Sequence, residues 1–149
     1  RLKKALIFGN FLNFCIFKIK MRFHTRKWIK PEDLNANGTL FGGKLLAWID
    51  EEAALYAIVQ LENAKVVTKY MSEINFTSAA RQGDIVEIGI DVVKFGRSSL
   101  VLKCEVRNMM TRATIITIEN ITMVNLGDDE KPKSHGKTKI EFIDDRFKK

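Results

Sequence analysis

The stretch NANGTLFGGKLLAWIDEEAALYA, residues 35–57, changes character partway along. Its opening residues are turn chemistry: Asn35, Asn37 and Gly38 tolerate left-handed backbone, and the asparagine side chains bond readily to nearby main chain. From Gly43 to about Glu62 the apolar residues recur at spacings of three and four, and NAK closes the run. This pattern predicts a helix of about five turns. Positions 43, 46, 47, 50, 53, 54 and 57 share one side of it and read Gly, Leu, Ala, Asp, Ala, Ala, Ala. The opposite side carries Leu45, Trp48, Ile49, Leu55, Tyr56 and Val59, bulky enough to fill a core. One face is therefore expected to pack into a sheet, leaving a small-residue face that another group can approach closely.

The small face has a plain reading, tight packing of a second helix or a second subunit, which does not account for Asp50. A carboxylate on an enclosed face loses solvation, which raises its pKa unless a donor compensates, and such a group is a functional candidate. Glu51 and Glu52 read as solvated flanking charges. FGG enters the helix where backbone N–H groups lack partners and the helix dipole is positive. The plain reading is a glycine-rich turn into a helix. The chemical one is a donor, at Gly42, to a carbonyl oxygen that becomes negative during attack. Gly42 and Asp50 lie about 12 Å apart along the axis at about 1.5 Å per residue, and the Asp side chain leans back toward the N-terminus. That gap has room for a reacting carbonyl carbon and a water.

Around the helix the period is two. Phe23 to Ile29 is short, aromatic and β-branched and stops at Pro31, which suggests a first strand. After the helix come KVVTKYMSEINFTSA, with Val66, Thr68, Tyr70, Ser72, Ile74 and Phe76 alternating against a more polar set, and DIVEIGIDVVKF, with Val86, Ile88, Ile90 and Val92 on one face. SSLVLKCEVRNM and ATIITIENITMVNL complete four strand-like segments, divided by Gly83-Asp84, Gly96-Arg97 and MTRA. One long helix among hairpin-linked strands predicts an α+β fold, an antiparallel sheet wrapped on a single helix. Residues 22–126 make that domain, residues 1–21 are an extension, and residues 127–149 are a polar tail expected to be mobile at least to Lys139, with IEFIDDRFKK able to dock as a short helix.

The 149 residues suit one domain, and 46% hydrophobic with 29% charged residues is a globular mix. The net charge of +7 does not describe the fold. Residues 1–30 hold nine of the 25 basic residues and no acid, leaving 16 bases against all 18 acids elsewhere. This distribution argues against a nucleic-acid face, which spreads basic and aromatic residues over the folded part. RLKKALIFGNFLNFCIFKIK, residues 1–20, has three readings: sequence upstream of a start at Met21, a peripheral membrane arm, or an extra element docked on the domain. Its apolar stretch is shorter than the roughly 20 residues that a membrane crossing takes.

The chemistry has few candidates. His24 and His135 are the only histidines, one in the first strand and one in the tail, which disfavours Ser-His-Asp and Cys-His sites. Cys15 and Cys104 have no metal-ligand spacing, Cys104 reads as a buried thiol, and a reducing, cytoplasmic setting is the default. No phosphate-binding glycine loop or H-E-x-x-H is present. Carboxylate chemistry without a metal or cofactor is what remains.

NANGTLFGGKLLAWIDEEA, VVTKYMSEINFTSAARQGDIVEI and KFGRSSLVLKCEV, in this order and spanning roughly Phe23 to Leu126, resemble the acyl-CoA thioesterases of the hot-dog fold. The resemblance implies a sheet wrapped on the central helix, protomers joined edge to edge as dimers and often as trimers of dimers, and active sites at the dimer interface. It implies hydrolysis of acyl-CoA to a free acid and coenzyme A, with coenzyme A entering as part of the substrate. By position, Asp50 matches the catalytic carboxylate, as general base or as nucleophile, Asn35 its amide partner, and Gly42 the backbone donor. KFGRSS reads plainly as a hairpin turn with Gly96 at positive φ. The resemblance instead places Lys94, Gly96, Arg97, Ser98 and Ser99 at the nucleotide end of coenzyme A. The absence of a histidine near the helix favours hydrolysis over the dehydration that related hot-dog enzymes perform. Two other readings stay open: an acyl-CoA-binding sensor with the same fold, and membrane association through the basic arm.

Overall fold

The structure, a computed structural model, describes residues 21–148, so the readings placed on residues 1–20 lie outside the described residues. The chain runs through β1 (Phe23–Trp28), a single 3-10 turn at Pro31–Asp33, α1 (Gly42–Leu61), β2 (Val66–Met71), β3 (Ile74–Phe76), β4 (Ile85–Phe95), β5 (Ser99–Asn108), β6 (Thr114–Asn125) and a second 3-10 turn at Asp145–Phe147. The strands form one antiparallel sheet in the order β1-β4-β5-β6-β2, with β3 also paired to β6. The helix lies across β2, β4, β5 and β6. The expected α+β arrangement of a sheet on one helix is therefore the one observed.

Register explains the core. Inward side chains line up in rows across three strands: Ile88, Val106 and Ile116; Ile90, Cys104 and Ile118; Val92, Leu102 and Ile121; Phe95, Leu100 and Met123. Each row presents branched or bulky apolar surface to the helix, and each fully buried side chain of this size contributes about 1.5–3 kcal/mol relative to exposure. Among the described residues five irregularities curl the sheet around α1, two of them in β1 between Phe23 and Thr25 and in β6 opposite the step from Val106 to Arg107. Extra residues fall between Thr68 and Tyr70 in β2, between Val92 and Lys94 in β4, and in β6 opposite the step from Leu102 to Cys104. A bulge bends its strand and raises local twist.

These bulges correct two expectations. The long segment after the helix divides into β2 and β3, and its alternation does not run through: beyond the bulge Met71 turns inward and Tyr70 becomes exposed, as does Phe76. The helix is also rotated relative to its expected face. Leu45, Ile49, Ala53, Ala57 and Leu61 are buried against the sheet, whereas Leu55 and Val59 are exposed. The two alanines, assigned to the open face, instead let the C-terminal half of the helix approach the strands closely.

The tail is not free. Gly127 donates to the Lys131 carbonyl, Lys133 to that of Asn125, and His135 to that of Arg97. Further on, the buried Gln60 of α1 holds the backbone at residues 141 and 142: its Nε2 donates to the Phe142 carbonyl at 2.6 Å and its Oε1 accepts from the N–H groups of Glu141 and Phe142. The Arg146 guanidinium donates to the His24 carbonyl at 3.0 Å, and Phe147 meets the His24 ring edge-on at 5.2 Å. Polar composition suggested mobility, but one buried glutamine and one aromatic contact anchor the segment. IEFIDDRFKK docks with only a single 3-10 turn.

Basic residues in the sheet are used locally. Glu87 is buried, and Arg107, Arg112 and Arg26 close on it at 2.9, 3.0 and 3.5 Å. Cys104 is a buried free thiol, pushed up to about 12 by burial, as its strand position suggested. No helix among the described residues is long and apolar enough to cross a membrane.

Two measurements test this account. Gln60→Ala should lower the unfolding free energy by about 1–3 kcal/mol, the cost of leaving buried polar partners unmade, and should expose the tail to protease; an unchanged denaturation midpoint with an uncut tail would show that the tail holds without it. Burial lowers the His24 pKa, against the backbone bond to Ile90 and the nearby Glu52 and Asp144, which raise it. The unfolded chain then takes up the proton more readily, so the stability from neutral His24 is complete above about pH 6.5 and is lost as pH falls below that value. Urea midpoints between pH 7.5 and 5.5, compared with His24→Phe, should show a steeper fall in the parent protein.

Candidate functional site

The Asn35 loop is built by its own asparagine. Asn35 Oδ1 accepts from the N–H of Asn37 at 2.9 Å and of Thr39 at 3.2 Å, while Nδ2 donates to Thr39 Oγ1 at 2.9 Å. Gly38 completes the turn at φ +72°, where a side chain is disfavoured. Leu40 then donates to the Ala80 carbonyl and Phe41 to that of Asp33, which aims the chain into α1. Asp33 is itself buried, accepts from the Lys30 N–H at 3.0 Å and lies 3.4 Å from Lys44 Nζ.

Phe41 caps the helix without a side-chain acceptor, and the first helical bond is from Leu45 N–H to the Phe41 carbonyl. The N–H groups of the first turn, beginning at Gly42, therefore remain open for an incoming acceptor. Gly42 is the first residue of the helix rather than the one before it. A Cβ there would stand 3.2 Å from the Phe76 ring, a tight contact that a side chain at this position would relieve only by a small shift of that exposed ring. Asn35, Thr39, Gly42, Phe76, Ser78 and Ala80 line a common cavity of about 470 Å³. The structure thus brings Asn35 and Gly42 together.

Asp50 is elsewhere. It sits on α1, exposed within the single chain, and its Oδ1 accepts a 2.6 Å hydrogen bond from the Thr68 hydroxyl. Within the single chain the carboxylate is not enclosed: with Ile49 directed into the core, Asp50 is turned about 100° away from the sheet. Thr68 is the residue that the sequence reading missed. Its inward position in VVTKY was visible, but pairing it with Asp50 depends on how β2 passes the helix, which no local pattern encodes.

The turn at residues 94–99 joins β4 to β5. Lys94 and Arg97 are exposed, whereas Gly96, Ser98 and Ser99 are half-buried. Gly96 does not adopt the positive φ expected of it. Glycine is needed there for space, because a Cβ would collide with Ser99 Oγ and lie 3.3 Å from the Ser99 carbonyl oxygen, to which Gly96 N–H donates at 2.8 Å. In the sheet, Ser99 pairs with Val124, which pairs with Val67, and Leu100 pairs with Met123, which pairs with Thr68. The turn and the Thr68–Asp50 pair therefore share one end of the sheet, two strand spacings or about 10 Å apart in that direction. Phe76 pairs with Ile116 and Ile116 with Val106, so the Asn35–Gly42 cavity belongs to the other end. Within one chain, an amide and open helix N–H groups lie at one end, and a carboxylate and a basic turn at the other.

Comparison with known proteins matches this architecture. A sequence model of the thioesterase superfamily covers residues 37–113. A Zymomonas mobilis protein described as an uncharacterised acyl-CoA thioester hydrolase is 33% identical over 107 residues, 68% of this chain and 70% of that one. Among solved structures, a hexameric thioesterase from Yersinia pestis superposes with a TM-score of 0.71 at 29% identity, over 76% of this chain and 94% of that one. An acyl-CoA hydrolase from Staphylococcus aureus, solved with butyryl coenzyme A and coenzyme A, superposes with a TM-score of 0.67 at 31% identity, over 74% and 66%. The chain spans about half the length of the curated relatives it matches first. The superfamily match over residues 37–113, the identity to the Zymomonas mobilis protein and the shared fold show that this chain belongs to the thioesterase superfamily, with the hot-dog arrangement of one helix in an antiparallel sheet.

Proposed function

We propose that the protein hydrolyses acyl-CoA thioesters to a free acid and coenzyme A, as a homo-oligomer whose active site is shared between copies. The observation that carries this reading is the division of the site. Asp50, held by Thr68, has no part in the cavity lined by Asn35 and Gly42. A second copy supplies what one chain lacks, Asp50 of one protomer facing Asn35 and Gly42 of the other. The open edge is available for it: β2 ends the sheet, and Val67 and Tyr70 on it, with Phe76 and Phe41 nearby, are exposed hydrophobic residues. A dimer joined along this edge, and a trimer of such dimers, follow the hexameric assembly of the Yersinia pestis relative.

The chemistry needs no group beyond the side chains and a water. The thioester carbonyl oxygen sits at the helix N-terminus, where Gly42 N–H stabilises the charge that develops on it. Asp50 takes a proton from the attacking water as the new C–O bond forms; the tetrahedral intermediate then expels the coenzyme A thiolate, which takes the proton back from Asp50. The Thr68 hydroxyl engages one carboxylate oxygen and leaves the other free to receive the proton. Asn35 orients the water. Lys94, Arg97, Ser98 and Ser99 hold the nucleotide phosphates through charge-assisted bonds. The Staphylococcus aureus hydrolase, solved as variants with an asparagine, an aspartate or a threonine changed to alanine, adds support. Its asparagine and aspartate are as far apart in sequence as Asn35 and Asp50, and its threonine is one position nearer to the aspartate than Thr68 is to Asp50.

Thiol release from short, medium, long and aryl acyl-CoAs tests the reading. Asp50→Asn should lower kcat by about 100-fold or more with an unchanged circular dichroism spectrum, and Thr68→Val by about tenfold, the effect of one lost hydrogen bond of roughly 1.4 kcal/mol. Full turnover by Asp50→Asn would reject the mechanism, and saturable binding without thiol release by the parent protein would assign the fold to an acyl-CoA sensor. Mixed oligomers of Asn35→Ala and Asp50→Ala chains should regain activity that neither variant has alone; failure to complement would place both residues within one chain's site.

A further inference from the structure

The turn at residues 94–99 has its carbonyls engaged and two of its N–H groups open. Three consecutive carbonyls are occupied: that of Arg97 accepts from His135 N–H at 3.2 Å, that of Ser98 from Asn125 N–H at 2.8 Å, and that of Ser99 from Gly96 N–H at 2.8 Å. The N–H groups of Arg97 and Ser98 donate to no acceptor among the described residues. A turn with its carbonyls engaged and successive N–H groups open presents net positive partial charge to an anion. The exposed Arg97 and Lys94 side chains stand at the same place.

Two residues outside the turn hold its carbonyls. Asn125, buried at the end of β6, bonds to Ser98 through its N–H, to the tail through Nδ2 to the Lys133 carbonyl at 2.8 Å, and to the end of α1 through Oδ1, which accepts from Asn63 Nδ2 at 2.7 Å. His135 is the second. Its Nδ1 accepts the Lys137 N–H at 3.0 Å, so the proton is on Nε2, which donates to the Ser99 carbonyl at 3.1 Å. The ring also meets Phe95 edge-on, at 6.3 Å between centroids. His135 thus holds the turn by main chain at Arg97 and by side chain at Ser99, one bond on either side of the bond from Asn125.

We infer that His135 is a positioning residue for substrate binding: the tail folds back so that its main-chain N–H and its imidazole hold the carbonyls of Arg97 and Ser99, fixing the turn with its Arg97 and Ser98 N–H groups open to a phosphate at the nucleotide end of coenzyme A. This rests on the assignment of the turn to the nucleotide. It gives the tail a part in recognising the substrate and none in the chemical step. A loss of the imidazole therefore weakens binding of the phosphorylated portion and spares the thioester end.

The test compares coenzyme A with pantetheine, which lacks the nucleotide, in direct binding to the full chain, alongside kcat and KM for an acyl-CoA and the matching S-acyl pantetheine. His135→Ala should weaken coenzyme A binding and raise KM for the acyl-CoA by about three- to tenfold, the scale of one hydrogen bond. Pantetheine binding, KM for the acyl pantetheine and kcat should stay within about twofold, the limit for an uninvolved polar contact. His135→Gln, whose Nε2–H can still reach the Ser99 carbonyl, should restore most of the loss. Arg97→Ala separates the two readings. If it weakens coenzyme A binding while His135→Ala does not, the tail has no positioning role and the turn remains the nucleotide site; if neither does, both assignments fall. Equal losses for coenzyme A and pantetheine in His135→Ala would mean a general structural effect and overturn the inference.

Discussion

Everything in this fold depends on how closely α1 lies in the curled sheet. Leu45 and Ile49 fill the space near the helix N-terminus, and Ala53 and Ala57 allow the strands to approach the second half. The rows of inward residues on β4, β5 and β6 supply the complementary surface, and the bulges bend it around the helix. A larger residue at either alanine would lift that end of the helix from the sheet. Asp50 would then move away from Thr68, which reaches it only because β2 passes so near.

That packing also determines what one chain cannot do by itself. Turning Ile49 inward points Asp50 outward, and the cavity at the start of α1 is then served by Asn35 and the helix N–H groups without a carboxylate of its own. The separation is geometric. The two halves are attached to different rows of paired residues, at opposite ends of the sheet. In the proposed assembly along the open β2 edge, exposed apolar residues become buried and the divided site becomes complete.

The tail adds a second level of organisation. Its charges suggest a solvated segment, yet it is tied down by a few side chains that satisfy backbone groups: Gln60 on the helix, Asn125 at the end of β6 and His135 within the tail itself. Each of these replaces a missing ladder of main-chain bonds. Where the tail crosses the β4–β5 turn, it also holds the carbonyls of Arg97 and Ser99.

Much of this was legible in the linear chain. Periods of three to four and of two distinguish helix from strands because side-chain direction is local, and Asn35 builds its turn from atoms within four residues. The FGG segment marks the helix start for the same reason. The face of α1 that would be buried was misread, because a helix with small residues on one side and large ones on another can pack by either, and only the distance of approach to the sheet selects. Thr68 as the partner of Asp50, the bulge that exposes Tyr70, the crowding that requires glycine at 96, and the anchoring of the tail at Gln60 and His135 all join residues far apart in sequence. Composition and spacing determined the elements and the candidate chemistry; tertiary contact alone decided which candidates meet, because hydrogen bonds and close packing depend on positions in space that no local pattern specifies.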